Sequence, residues 1–219
     1  PPAPPPVLCH IRDRSIKSPP DDKPMTFEAL RLLFEQSGAE ALTAVDADGG
    51  TPAHSAALNG HVDALRFLFD QCGSEALTAV DADGGTPAHS AADNGHVDVL
   101  RFLFDQCGSE ALTAADAGGS TPAHAAAHEG HVDALRFLAE RCGSEVLTAT
   151  AAGGSTPAHA AAHEGHVDAL RFLAERCGSE VLTAAAAPFL LMPAHLAAHE
   201  GQVDALRYLA KQCGSDVLL

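Results

Sequence analysis

Gly49-Gly50-Thr51-Pro52-Ala53-His54-Ser55-Ala56-Ala57, continued by Leu58-Asn59-Gly60-His61-Val62-Asp63, is the stretch that decides how this chain folds. Thr51 places a side-chain acceptor just before Pro52, whose fixed φ suits a first helical turn, and Gly60 supplies the stop, so a short helix is expected between them. Beyond Gly60, the apolar residues Val62, Leu65, Leu68, Phe69 and Cys72 fall at i, i+3, i+6, i+7 and i+10, one face of a second helix that Gly73 ends. Asp63, Arg66 and Asp70 occupy the other side, which reads as a solvated surface where charge pairs add at most roughly a few tenths of a kcal/mol. The following link ends in Asp81-Ala82-Asp83-Gly84-Gly85, a composition that favours a tight projecting turn.

The unit is copied. Thr51, Thr86, Thr121 and Thr156 each open a Thr-Pro-Ala-His tetrapeptide at a 35-residue step; Cys72, Cys107, Cys142 and Cys177 keep that step, which lengthens to 36 at Cys213. Ala117 to Ala149 recurs letter for letter as Ala152 to Ala184. A two-helix unit of this size cannot hide its own apolar faces, so stacking must bury them, and the expected architecture is an all-α one-dimensional solenoid.

The residues quoted above, with their copies from Gly84, Gly119 and Gly154, resemble the ankyrin-repeat family over roughly residues 26 to 219. That resemblance implies an ankyrin-repeat solenoid of helix-turn-helix units with projecting turns or β-hairpin-like fingers. Two features depart from the family pattern: each unit exceeds the usual length of about 33, which should alter repeat rotation slightly, and Ala53 stands where Leu is customary, thinning the core. Read in these terms, residues 26–50 form an N-terminal half-repeat. Five repeats follow at 51–85, 86–120, 121–155, 156–191 and 192–219. Residues 1–25 carry eight of the 14 prolines and read as an extended or disordered arm with a polyproline bias. Val217-Leu218-Leu219 leave the last repeat without a polar closing face, so further chain or a partner is expected to cover that end.

Composition removes whole classes of function. Twenty-nine Asp and Glu against 13 Lys and Arg give a net charge of −16, and so acidic a chain is repelled by phosphate backbones; no nucleic-acid partner is expected. The longest apolar run, Ala184 to Ala194, is too short to span a bilayer and holds Pro188 and Pro193. The chain opens at Pro1, which leaves any targeting segment out of view and the compartment unknown, although repeat cysteines read as buried reduced thiols favour a reducing one, cytoplasm or organelle interior. Neighbouring helices sit too far apart for a disulfide ladder.

No nucleophile elbow, phosphate loop or dinucleotide fingerprint is present, and no catalytic residue or cofactor is assigned. Of the 13 histidines, His54, His89, His124, His159 and His195 hold the Thr-Pro-Ala-His position, where the resemblance implies hydrogen bonds tying the first helix to its turn. His61, His96, His131 and His166 follow the inter-helix glycine and read as structural. The pairs His128/His131 and His163/His166 at i, i+3 offer two ligands each, short of the closed set of about four that structural zinc takes, so no metal site is expected.

Because the units are copies, positions that vary mark where the scaffold leaves freedom. Ahead of each inter-helix glycine stand Leu58-Asn59, Asp93-Asn94, His128-Glu129, His163-Glu164 and His199-Glu200. The turn tips bear Asp48, Asp83, Ser120 and Ser155, and the last link carries Phe189, Leu190 and Leu191. In the resembled family these positions line the concave groove and the fingers. The expected function is a non-catalytic protein-interaction module, a scaffold or peripheral subunit of a larger assembly, with a protein partner; the alternative is an effector that inhibits a partner enzyme through the same surface.

Overall fold

In a computed structural model, residues 26–187 and 190–214 are described. The Pro-rich arm, Phe189 and Val217-Leu218-Leu219 lie outside them. The helices run α1 Phe27–Ser37, α2 Pro52–Leu58, α3 Val62–Cys72, α4 Pro87–Asp93, α5 Val97–Cys107, α6 Glu110–Thr113, α7 Pro122–His128, α8 Val132–Cys142, α9 Pro157–Glu164, α10 Val167–Cys177, α11 Pro193–His199 and α12 Val203–Cys213. Short 3-10 turns such as Ser74–Leu77 follow several of the second helices. Each short helix pairs antiparallel with the longer one after it, and the pairs stack in chain order, α2 on α4, α4 on α7, α7 on α9 and α9 on α11.

Alanine makes that inner row close. Ala53, Ala88, Ala123, Ala158 and Ala194 are at most 2% exposed, and Ala56, Ala91, Ala126 and Ala161 are fully buried. The small side chains that thin the core also let the short helices approach. The second helices contribute the bulk through Leu65 and Leu68, Leu100 and Leu103, Leu135 and Leu138, and Leu170 and Leu173, all at 0% exposure. Fully burying a leucine is worth roughly 1.5–3 kcal/mol, so this stripe is a large part of each unit's apolar stabilisation, with Leu77, Leu112, Leu147 and Leu182 buried beside it. Val62, Phe69 and Cys72 lie at its margin and are only partly buried.

Each first helix starts on a reciprocal cap in which histidine does the work usually given to Glu. Thr51 accepts from the His54 backbone, while its own N–H donates to His54 Nδ1 at 3.2 Å. With Nδ1 an acceptor, the proton must sit on Nε2, and Nε2–H donates at 3.0 Å to the carbonyl of Gly85, the residue that leads into the next unit at Thr86. The pattern repeats from His89 to Ser120 O (3.0 Å), His124 to Ser155 O (3.1 Å) and His159 to Leu191 O (2.9 Å). His195 keeps only the bond from the Met192 N–H among these, and is exposed.

A second histidine row points the other way. His96 Nε2 donates to Leu58 O at 2.9 Å and His131 Nε2 to Asp93 O at 3.1 Å, and Gln202 takes the same role toward His163 O at 3.1 Å. His61, the first of the row, has a buried Nε2 with no partner among the described residues; the corresponding position, 38 residues earlier, is Lys23, outside them. The turns add a third row through Ala82 N–H to Asp48 O (3.0 Å), Ala117 N–H to Asp83 O (2.9 Å) and Ala152 N–H to Gly118 O (2.7 Å).

Two readings of the outer surface need correction. Arg66 is not simply solvated: its guanidinium lies 5.3 Å from the Phe102 ring of the next unit, as Arg101 does over Phe137 and Arg136 over Phe172. The cysteines are half-buried rather than buried, because each occupies the last turn of its helix at the edge of the stripe. All five are free, and desolvation raises their pKa values, which keeps them protonated.

Burial in the polar lattice disfavours imidazolium, and desolvation lowers the His124 pKa to about 4 despite nearby Asp116, while His89 and His159 push in the same direction as burial. His159 is lowered for the same chief reason. The folded state holds the neutral form, so this stability is present above the unfolded value of about 6.5 and is lost as pH falls from there toward 4, on the order of 3 kcal/mol for His124. Urea unfolding midpoints should therefore drop across that window, and a His124→Gln variant should start less stable and show a shallower fall. A second expectation concerns Gly60 and Gly73, both at positive φ (+74° and +77°); a Cβ at Gly60 would meet the His96 ring at 2.9 Å, whereas one at Gly73 meets nothing. Gly73→Ala should cost about 1–2 kcal/mol from the backbone alone, and Gly60→Ala at least about 1 kcal/mol more from overpacking, both read from chemical denaturation.

Candidate functional site

The short helices present one solvent-facing stripe each. In α2 it comprises Ser55, Leu58 and Asn59, at i, i+3 and i+4, while Ala53, His54, Ala56 and Ala57 face inward. Stacked in order, these stripes form a groove floor that runs from Ser55 and Ser90 through Ala125 to Leu196, with Ala160 at the same position but buried. One rail of the groove is the row of helix C-terminal ends, and the other is the row of turns ahead of the N-caps. A seven-residue helix such as α2 sets the rails about 10 Å apart, a width suited to a single extended segment or one helix.

The turn rail is built by aspartate. Asp46 Oδ1 accepts from the N–H groups of Asp48 (3.0 Å) and Gly50 (2.8 Å), and Asp81 and Asp116 repeat the arrangement in the next two turns. This leaves Asp48 and Asp83 exposed at the tips. Ser120 is half-buried and Ser155 buried, at the turn base, where their carbonyls receive His89 and His124. In the fourth turn Ala151 replaces the aspartate, and in the last link an isolated antiparallel bridge between Ala186 and Leu191 replaces the acidic turn. Leu190 stands at that tip, 68% exposed and at φ +54°, a left-handed backbone that leucine rarely adopts. Leu191 is half-buried.

The other rail changes chemistry along its length. Asn59 and Asn94 donate back to Ser55 O (2.8 Å) and Ser90 O (3.0 Å) of their own helices, and Asp93 is half-buried beside Asn94. From α7 onward histidine and glutamate alternate. His128 Nδ1 lies 2.8 Å from Glu129 Oε1, His163 Nδ1 2.6 Å from Glu164 Oε1 and His199 Nδ1 2.6 Å from Glu200 Oε1. Between units, His128 Nε2 reaches Glu164 Oε1 at 3.3 Å and His163 Nε2 reaches Glu200 Oε1 at 3.5 Å. The hydrogen bond from His199 is the chief reason that the Glu200 carboxyl titrates below the usual range. His128 thus pairs with His163, rings stacked at 6.3 Å, rather than with His131, whose Nε2 is committed to the Asp93 carbonyl.

A family model of ankyrin repeats (three copies) matches residues 24–115 and 110–185. The chain belongs to the ankyrin-repeat family. Domains of this family generally mediate protein-protein interaction and are typically non-catalytic. A comparison with curated proteins finds no match. No helix among the described residues is long and apolar enough to cross a membrane.

Of the residues singled out from sequence, Leu58, Asn59, Asp93, Asn94, His128, Glu129, His163, Glu164, His199 and Glu200 share one ankyrin-repeat rail, and Asp48 and Asp83 stand on the other. Sequence reasoning missed the floor. The signal was available: Ser55, Ser90, Ala125, Ala160 and Leu196 vary from copy to copy as the rails do.

Proposed function

We propose that the groove binds a partner protein through a segment that is basic at one end and carries an apolar anchor at the other, and that the chain works as a scaffold or peripheral subunit of an assembly. The reading is carried by one observation, the graded groove: carboxylates on both sides in its first half, and, toward its far end, an exposed Leu190 on a strained backbone at the turn and Leu196 on the floor. The acidic half would attract and orient a cationic segment, raising the association rate, while apolar contact at the far end would supply the energy that slows release. A left-handed leucine, which costs roughly 1–2 kcal/mol relative to a relaxed backbone, is retained more readily where its side chain has a contact to make.

Selection of displayed peptides against the full chain tests this. The expected winners combine Lys or Arg with an adjacent aliphatic or aromatic residue, and they shift the amide resonances of Ser55, Ser90 and Ala125. Winners without charge bias, or shifts confined to the second helices, would refute it. Against such a peptide, Asp48→Lys with Asp83→Lys should lower the association rate about tenfold and flatten its salt dependence. Leu190→Gly should leave the unfolding midpoint unchanged or higher while weakening affinity about tenfold.

A further inference from the structure

The histidine-glutamate ladder contains a three-residue arrangement that peptide binding does not require. His128 comes from the end of α7, His163 and Glu164 from the end of α9, and one ligating atom from each lies within 4.8 Å of the other two. We infer that these three side chains form a binding site for a divalent ion of the zinc class, with water completing its coordination.

Two imidazoles and a carboxylate are the donor set zinc takes when one position stays open to solvent, at about 2.0–2.2 Å from each atom, which sets neighbouring ligand atoms roughly 3.3 Å apart in a tetrahedron. Glu164 Oε1 already lies 3.3 Å from His128 Nε2, and 2.6 Å from His163 Nδ1, so the second pair need open by less than about 1 Å. The side chains are 21%, 24% and 35% exposed, shielded enough to be held in place and open enough for an ion to enter.

The independent observation lies on the far side of each ring. His128 Nδ1 has Glu129 Oε1 at 2.8 Å, and His163 Nε2 has Glu200 Oε1 at 3.5 Å. A carboxylate on the second nitrogen fixes the tautomer and orientation of a metal-bound imidazole and strengthens it as a donor. With Nδ1–H given to Glu129, the His128 Nε2 that remains lies 3.3 Å from the Glu164 carboxylate, two acceptors that a cation between them would satisfy. The net charge of −16 concentrates cations over the surface. Imidazole donors favour zinc, copper and nickel over magnesium and calcium, which seek oxygen. Sequence spacing pointed away from this site because its two histidines are 35 residues apart and meet only through stacking.

The inference stands apart from the peptide reading, and its test contains no partner. The full chain, kept reduced, is titrated with Zn²⁺ by calorimetry and with Co²⁺ as an absorbing probe. The expected result is saturable binding, a Co²⁺ spectrum of nitrogen and oxygen ligation without thiolate charge-transfer bands, and loss of the signal in H128A/H163A. Glu129→Gln, a change at an exposed position, should weaken Zn²⁺ by about 10- to 100-fold with its circular dichroism unchanged. Absence of saturable binding, thiolate bands, or equal affinity in the H128A/H163A chain would overturn the proposal.

Discussion

The stack depends on neutral imidazoles held between consecutive units. Each of His54, His89, His124 and His159 accepts from the backbone that starts its own helix and donates to the carbonyl just ahead of the next unit's N-cap. One side chain therefore caps a helix and sets the spacing to its neighbour. Because these rings are buried, losing either bond would leave a polar group without water, which costs more than a hydrogen bond contributes when made. The leucine stripe supplies the larger energy, but it is non-directional; the imidazoles fix where one unit sits on another.

That fixed spacing turns copied sequence into a surface. The second histidine row and the turn-to-turn bonds run through backbone carbonyls, so the side chains beside them can change without disturbing the lattice. The rails and the floor carry serine, aspartate, histidine, glutamate and leucine on one alanine-packed row of short helices. Stacking also brings His128 to His163 and Glu164, contacts that no single unit contains.

The repeat, the caps and the leucine stripe were legible because each is local: Thr-Pro before an apolar run and glycine after it have the same meaning in every copy. What stayed hidden lies between copies. The partner of Arg66 is a ring on the following unit, and the acceptor for His96 is 38 residues back, so spacing within one unit could not reveal either. The cysteines were read as buried because they continue the heptad-like face, yet that face leaves the core in the last helical turn. The groove rails were readable from variation among copies, while Ser55 and its counterparts were passed over because serine and alanine look like filler in an alanine-rich helix.

The most direct measurement is the protonation of the ring nitrogens, by long-range nitrogen-proton correlation on uniformly labelled protein near pH 7 with each histidine assigned. The account requires His54, His89, His124 and His159 to be neutral Nε2–H tautomers, with His124 still neutral at about pH 5.5. Nδ1–H tautomers at these positions, or a His124 that is charged at that pH, would contradict it.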